Sequence, residues 1–246
     1  MAYKDLRDYV GYLENERELV RIQHEVSREL EITEIADRTV KSGGPALLFE
    51  NVRGFDIPVL INHYGTRRRM SMALGVRDLD EIGAQIESLL KLEPPGSFLE
   101  KLRMLPKLAR LASALPRTVK RAACQEVVRE GEDASMDFLP ILKCWPGDGG
   151  QFLTLPMVFT RDPETGCRNA GIYRMHVYDS HTTGMHWHIH KVGARHYAEY
   201  ERRGERMPVA VALGDDPAIT YAASAPLPED FDEMIFAGFL RKAPVE

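Results

Sequence analysis

The sequence is poor in cysteine, contains no long apolar run and carries little net charge. Its three cysteines, Cys124, Cys144 and Cys167, are too few and too widely spaced for a disulfide framework or a paired-cysteine zinc site, and we interpret them as reduced thiols. No run approaches the ~20 apolar residues of a membrane span, and the first residues lack the apolar core of a signal peptide. The sequence therefore predicts a cytoplasmic protein without a transmembrane segment.

The net charge and the composition exclude several classes of protein. A formal net charge of -5 provides no overall attraction for nucleic acid or for an anionic membrane, so we expect no nucleic-acid partner. The 44% hydrophobic and 28% charged residues are close to the average for globular proteins, which excludes disordered and fibrous proteins. A length of 246 residues predicts one large domain or two small ones.

The first part of the chain has the pattern of a mixed α/β domain. Apolar residues at helical spacing predict four helices, which begin at Asp5, Glu29, Arg67 and Asp78. Short apolar runs at 46–49 and 58–61 predict two strands joined by a polar turn. The segment 101–121 contains seven Lys or Arg residues and no acid, and its two prolines favour a linker packed on a neighbouring domain over a membrane-binding helix.

The pattern changes to strands and turns beyond Asp137. Alternating or apolar runs predict strands at 152–160, 170–178, 183–191 and 208–213. A helix is predicted at 194–203, and another begins near Pro228, with Asp230 as its cap, and carries Glu233. Together with the first part of the chain, this pattern predicts an α+β fold whose second part is an antiparallel sheet or barrel.

Six of the eight histidines lie between His176 and His196, which marks this stretch as a candidate site. Successive side chains of an extended strand point to opposite faces. A strand at 183–191 would therefore place His186, His188 and His190 on one face and Trp187 on the other. We interpret the histidine face as a site and the opposite face as core.

Asn169 and Arg174 lie on or beside the strand that precedes the histidine run, and a hairpin would bring them close to it. Imidazole suits transition metals, whereas amide and carboxylate oxygens suit Mn²⁺ or Mg²⁺. Asn169, one histidine and a later carboxylate would form a mixed site for a divalent ion that also holds a phosphate. Arg174 is able to hold a carboxylate through two hydrogen bonds, but the spacing equally allows a surface ion pair for Arg174 and solvent-exposed histidines.

Several segments, taken in order, resemble the UbiD family of decarboxylases, which use prenylated flavin mononucleotide (FMN) with a divalent metal and potassium. The segments are 3–7, 43–52, 169–174, the histidine run that ends at His190, 208–214, and Glu233 ahead of 236–238. The resemblance implies an N-terminal mixed α/β domain at 1–115, followed at 116–246 by an incomplete split β-barrel domain that binds the flavin. It places the C-terminal part of the family fold beyond this chain.

The resemblance also implies the roles of individual residues. Asn169, His190 and Glu233 match metal ligands for Mn²⁺ or Mg²⁺, and Arg174 matches the catalytic arginine that holds the substrate carboxylate. The segment 222–225, including Ser224, matches the region that binds K⁺. The positions that match the binding site of the prenylated FMN are Asn169, Ile172, Tyr173, Arg174, His186, Trp187, His188, His190, Lys191 and Glu233.

The implied activity is the reversible, non-oxidative decarboxylation of an aromatic or α,β-unsaturated carboxylic acid. The implied partners are this small-molecule acid, a flavin prenyltransferase that supplies the cofactor, and further copies of the full-length protein in a homo-oligomer. The chain departs from the family pattern at two places. It has Lys191 and Val192 where many members have Arg-Gly, and His186 and His188 flank Trp187 where some have Arg-Trp-Leu.

Two other hypotheses fit the residues. In the first, the face formed by His186, His188 and His190 belongs to a cofactor-free metal enzyme of the cupin kind, which expects a glutamate shortly after the histidines; the nearest is Glu199. In the second, the chain is a non-catalytic subunit of a split decarboxylase, because the glutamates that return the proton in the family are expected beyond residue 246.

Overall fold

Nine short strands form three sheets of three strands each within residues 3–90, 112–228 and 231–246, which the computed structural model describes. The strands are β1 (Leu19–Ile22), β2 (Ala46–Phe49), β3 (Val59–Ile61), β4 (Gln151–Leu153), β5 (Met157–Arg161), β6 (Arg168–Ile172), β7 (Met175–Val177), β8 (Thr183–Met185) and β9 (Ala210–Ala212). The helices are α1 (Leu6–Asn15), α2 (Glu31–Lys41), α3 (Arg67–Ala73), α4 (Asp80–Leu90), α5 (Val192–Arg203), α6 (Pro217–Ser224) and α7 (Glu233–Arg241).

The first sheet confirms the mixed α/β character of the N-terminal part. Strand β2 lies in the middle, parallel to β1 and antiparallel to β3. All four of its residues are buried, as expected for a strand that is covered on both faces. Helix α1 packs beside this sheet, begins with the side chain of Asp5 accepting the N–H of Asp8, and buries Tyr9 and Leu13. The four predicted helices and both predicted strands are present, whereas β1 was not predicted.

The second part of the chain contains two antiparallel sheets, in the strand orders β6-β5-β9 and β4-β7-β8. Two of the predicted long strands each break into two short ones. The run 152–160 breaks at Pro156 into β4 and β5, and the run 170–178 breaks at Tyr173 and Arg174 into β6 and β7. The halves pair in different sheets, β5 with β6 and β4 with β7. The described strands do not close into a barrel.

The prediction of a strand at 183–191 is wrong beyond Met185. Strand β8 ends there. One further backbone hydrogen bond between the two chain segments follows, in which the N–H of His186 donates to the carbonyl of Arg174 at 3.0 Å. The chain then turns, with the N–H of Lys191 donating to the carbonyl of His188 at 3.0 Å, and α5 begins at Val192. His186, His188 and His190 therefore do not share one face of a strand.

Helices α6 and α7 form most of the largest hydrophobic core. Buried alanines of both helices pack with Met157 and Ala170 of the sheet and with Leu74 and Ile82 of the N-terminal part, so one core joins the two parts of the chain. Helix α6 was not predicted. Helix α7 begins at Glu233 with Asp232 as its cap, later than the predicted start near Pro228. Asp230 lies outside the described residues.

The basic segment 101–121 lies outside the described residues up to position 111. In the described part of this segment, Ala114 is buried against α7, where its carbonyl oxygen lies only 2.0 Å from the position that a Cβ of Gly238 would occupy. The division of the chain into domains near residue 115 stays a prediction. Among the described helices, none has the length and apolar character needed to cross a membrane.

Candidate functional site

A cavity of about 300 Å³ lies between β6, the turn before α5, the end of α6 and the start of α7. It brings together segments that are far apart in the sequence. Six of the predicted site residues line it, and these are Asn169, Ile172, Tyr173, His190, Lys191 and Glu233. Arg174, His186, Trp187 and His188 are not among the lining residues.

Asn169 is held on β6 with its amide oriented by a neighbouring hydroxyl. Its side chain is buried, and Nδ2 donates to the hydroxyl of Tyr173 at 3.4 Å. With the amide nitrogen used in this way, Oδ1 is the atom that can coordinate a cation. The same hydroxyl accepts the N–H of Gly193 at 3.3 Å, so Tyr173 connects β6 to the first turn of α5. The Tyr173 ring lies over Gly171, where a Cβ would approach the ring to 2.5 Å.

Glu233 reaches from the first turn of α7 to the sheet. Its Oε2 accepts the backbone N–H of Ala170, the residue after Asn169, at 2.9 Å. Burial raises the pKa of Glu233, and the charge of Asp232 raises it further, whereas the hydrogen bond from Ala170 lowers it. A carboxylate that burial disfavours in this way is stabilised by a cation bound next to it.

His190 and Lys191 occupy the turn before α5 and are both exposed at the cavity. An amide oxygen, an imidazole nitrogen and a carboxylate oxygen form a donor set that suits Mn²⁺ or Mg²⁺. Lys191 adds a positive charge that suits a phosphate group. In the described part of the chain, no three His, Cys, Asp or Glu side chains are grouped closely enough to hold a metal ion. A cation here would therefore need a ligand of another type, such as the Oδ1 atom of Asn169.

The end of α6 forms another wall of the cavity. Ser224 lines it together with Ala223 and Ala225, whereas Ala222 is buried in the core. The hydroxyl of Ser224 donates to the carbonyl of Tyr221 at 2.8 Å. The assignment of 222–225 to K⁺ stays a prediction.

Arg174 lies at the bend between β6 and β7, where two aromatic side chains contact it. Its guanidinium carbon lies 4.6 Å from the centre of the Phe152 ring. Its Nη2 lies 3.1 Å from Nδ1 of His186, whose ring stacks on that of His188 with a centroid distance of 5.6 Å. The hairpin β7–β8 therefore brings Arg174 to the histidine run, as predicted. The cupin hypothesis required three histidines on one strand face, and that premise is wrong.

Trp187 lies between Tyr173, which lines the cavity, and His186, which contacts Arg174. Its ring meets that of Tyr173 edge-on at a centroid distance of 6.1 Å and lies 5.7 Å from the ring of Tyr197. Its Nε1 is buried and has no hydrogen-bond partner among the described residues. An unpaired buried N–H is a donor that a bound ligand can satisfy. The role of Trp187 in cofactor binding stays a prediction.

His196 is a cavity residue that the sequence did not reveal. It is fully buried on α5, with Nδ1 2.9 Å from Oγ1 of Thr160 and Nε2 3.9 Å from a carboxylate oxygen of Asp162. The sequence indicated this role only weakly. His196 is the last member of the histidine cluster, and its spacing of three residues from Gly193 is the only pattern that places it on the inner face of α5. The contact of Phe152 with Arg174 was also not predicted, because a phenylalanine on a strand is typical of a hydrophobic core.

Two family descriptions match most of the chain. Residues 117–246 match the UbiD domain, described as the 3-octaprenyl-4-hydroxybenzoate carboxy-lyase Rift-related domain. Residues 10–87 match the N-terminal domain of the same carboxy-lyase.

The curated relatives are longer than this chain. It is 54% identical to an uncharacterized protein of Archaeoglobus fulgidus over 243 residues. These residues are 98% of this chain and 50% of the relative. It is 49% identical over 246 residues to an uncharacterized protein of Aquifex aeolicus, over 99% of this chain and 50% of the relative. The chain thus spans about half the length of the curated relatives that it matches.

Solved structures of UbiD-class enzymes share the fold. One of them is an evolved dimeric form of the enzyme HmfF from Pelotomaculum thermopropionicum in complex with prenylated FMN. The match covers 98% of this chain and 51% of the HmfF chain, with a TM-score of 0.79 and 26% identity. The closed form of the vanillic acid decarboxylase from Sedimentibacter hydroxybenzoicus matches 100% of this chain and 50% of its own, with a TM-score of 0.82 and 27% identity. The domains and the fold together show that the chain belongs to the UbiD family of carboxy-lyases.

Proposed function

We propose that this chain carries the metal and flavin-phosphate site of a decarboxylase that uses prenylated FMN and Mn²⁺ or Mg²⁺. Its substrate is an aromatic or α,β-unsaturated carboxylic acid. One observation supports this proposal more than any other: Asn169, His190 and Glu233 come from three distant segments and line the same cavity. The similar enzyme HmfF binds prenylated FMN, which supports the choice of cofactor.

The cavity residues would bind the metal ion, the flavin phosphate and K⁺ through different chemical groups. Asn169, His190 and Glu233 would hold the divalent ion through oxygen and nitrogen atoms, and Lys191 would contribute positive charge for the flavin phosphate. Ser224 and its neighbours would provide oxygens for K⁺. The bound prenylated FMN would supply the electron sink that the loss of carbon dioxide requires. The chain itself supplies position and charge.

Arg174 would hold the substrate. Its guanidinium is planar and always charged, and it can donate two parallel hydrogen bonds to a carboxylate. Contact with Phe152 limits the orientations of the guanidinium plane. Holding the carboxylate in one orientation fixes the bond that breaks relative to the cofactor, which is how positioning contributes to rate.

Two glutamine variants test the proposal. The chain is expressed together with a flavin prenyltransferase and Mn²⁺, and the purified protein is analysed by native mass spectrometry and metal analysis. We expect the wild type to retain Mn²⁺ and a flavin with the mass of prenylated FMN, and Glu233→Gln to lose most of both. Glu199→Gln is the matched control, because Glu199 pairs with Arg202 and Arg203 on α5 and does not line the cavity. Equal retention of metal and flavin by Glu233→Gln would refute the proposal.

A further inference from the structure

The surroundings of Arg174 differ from those of an ordinary exposed arginine. The residue is exposed, yet its guanidinium stacks on Phe152 and contacts His186. Phe152 in turn stacks on His176 at a centroid distance of 4.5 Å. The guanidinium is therefore held from two sides by side chains of neighbouring strands and of the segment that follows β8.

The backbone fixes which residue faces Arg174. Strands β7 and β8 pair with Met175 opposite Met185, and the N–H of His186 donates to the carbonyl of Arg174 at 3.0 Å. Position 186 is thus the cross-strand neighbour of position 174. Directly opposite residues of an antiparallel pair lie close enough for their side chains to interact, so the backbone pairing places the side chain at 186 beside the guanidinium.

The hydrogen bond between the side chains of Arg174 and His186 can have only one direction. A guanidinium donates hydrogen bonds and accepts none. The Nδ1 atom of His186, 3.1 Å from Nη2 of Arg174, must therefore be the acceptor of this hydrogen bond. Stacking of His188 on His186 limits the rotation of this ring. The remaining N–H groups of the guanidinium are those that can receive a carboxylate.

We propose that His186 is a positioning residue that holds the guanidinium of Arg174 in the orientation that receives the substrate carboxylate. This inference rests on the proposed function, since that function gives Arg174 its substrate. An arginine that is already oriented loses less conformational freedom when it binds a carboxylate. The imidazole acts through Arg174, without contact with the reacting atoms.

Substitutions of His186 separate this role from a merely structural one. His186→Leu removes the acceptor, and His186→Asn restores one, because the asparagine Oδ1 can occupy the place of the imidazole Nδ1. The control is His24→Leu at an exposed histidine of the N-terminal part. The side-chain ¹⁵N NMR signals of Arg174 are assigned by their loss in Arg174→Lys. They report how freely the guanidinium rotates, independently of activity.

We expect separate, slowly exchanging Nη–H signals for Arg174 in the wild type, in His186→Asn and in His24→Leu, and a single averaged signal in His186→Leu. In the reconstituted enzyme, His186→Leu should lower kcat/KM roughly tenfold, mainly by raising KM, as loss of one hydrogen bond to a charged group predicts. His186→Asn should recover kcat/KM to within about threefold of the wild type.

Two results would overturn the role of His186. One is an unchanged Arg174 signal in His186→Leu; the other is an averaged signal with unchanged kcat/KM. A wild type that binds prenylated FMN but converts no aromatic or unsaturated acid would instead refute the proposed function and the substrate role of Arg174. In that case the NMR comparison still decides whether His186 holds the guanidinium.

Discussion

The hydroxyl of Tyr173 orients the amide of Asn169, which we propose as a metal ligand. It accepts hydrogen bonds from the amide of Asn169 and from the N–H of Gly193. We expect Tyr173→Phe to lower the free energy of unfolding by about 1–3 kcal/mol, because a buried N–H loses its acceptor. The variant should also retain less Mn²⁺, because the Asn169 amide is free to turn.

Urea unfolding and metal analysis of the purified variants measure both effects. Tyr197→Phe is the matched control, because Tyr197 is 47% exposed and does not line the cavity. If Tyr173→Phe and Tyr197→Phe retained the same amount of Mn²⁺, the positioning role of Tyr173 would be wrong.

Asp215 makes the stability of the protein depend on pH. Burial raises its pKa to about 6, and its carboxylate accepts the hydroxyl of Thr220 at 2.8 Å. The folded state thus binds this proton more tightly than the unfolded state does, so the contribution of Asp215 is most favourable below its ordinary pKa and is lost as the pH rises through about 6.

Asp215→Asn should remove this dependence. Relative to the wild type, the variant should gain about 2–3 kcal/mol in the free energy of unfolding between pH 4 and pH 7.5, since each unit of pKa shift corresponds to about 1.4 kcal/mol. Urea unfolding curves at the two pH values provide the comparison. A constant difference between variant and wild type would contradict the raised pKa.

The residue types of the site and the approach of Arg174 to the histidine run were predictable from the sequence, but the approach of Glu233 to Asn169 was not. The chemistry of Asn169 and Arg174 followed from their side chains and from their place before the histidine run. The inclusion of Glu233 came only from the resemblance to the UbiD family, because its approach to β6 depends on how α7 packs on the sheet. Packing between distant segments has no local signal in the sequence.

Helices were predicted more accurately than strands, for reasons that particular elements show. Helices α2 and α5 begin within two residues of their predicted starts, because amphipathic spacing over three turns is a strong local signal. Strand β8 was predicted too long because His186 to His190 alternate with Trp187 and Ile189, which imitates the period of a strand. Helix α6 was read as a turn because Asp216 and Pro217, its cap and first residue, are also turn residues.

Helix α7 can be displaced at a single glycine. A Cβ at Gly238 would lie 2.0 Å from the carbonyl oxygen of Ala114, so Gly238→Ala requires the helix to move. We expect a loss of about 1–3 kcal/mol in the free energy of unfolding, and a lower Mn²⁺ content because α7 carries Glu233.

The control for this substitution lies in another helix. Gly83→Ala in α4 places its Cβ more than 4 Å from the described residues outside its own helical turn, and it should stabilise the protein by about 0.5–1 kcal/mol because alanine favours the helix. Thermal unfolding and metal analysis compare the two. Equal stability of the two variants would show that the contact with Ala114 does not restrain α7.

Strand β9 lies at the edge of its sheet and has an apolar surface. Among the described strands it pairs only with β5, and Val209, Val211 and Leu213 are each 40–46% exposed. An edge with free backbone groups and apolar side chains favours pairing with another strand. We therefore expect the isolated chain to self-associate through β9.

Val211→Lys should reduce this association, because a charged side chain on an edge strand opposes pairing. Val40→Lys is the control, since Val40 has a similar exposure of 50% but lies on α2. Sedimentation velocity should show a smaller mean mass for Val211→Lys than for the wild type and the control. Equal masses for all three would exclude β9 as the site of association.

The family of the molecule was predictable because several segments match in order, although the details of its sheets were not. The breaks at Pro156 and at Tyr173 divide two predicted strands between two sheets. Proline accounts for the first break. The second has no breaking residue, and the pairing of β7 with β4 and β8 decides it.

The proposed function requires the cavity to bind a divalent ion together with a flavin phosphate. Pulsed electron paramagnetic resonance of the Mn²⁺-loaded protein, purified with prenylated FMN, detects the atoms bound next to the ion. We expect ¹⁴N coupling from one imidazole and ³¹P coupling from one phosphate, with the ¹⁴N coupling lost in His190→Ala and kept in the control His24→Ala. A bound Mn²⁺ without ³¹P coupling, or ¹⁴N coupling that persists in His190→Ala, would contradict the proposed function.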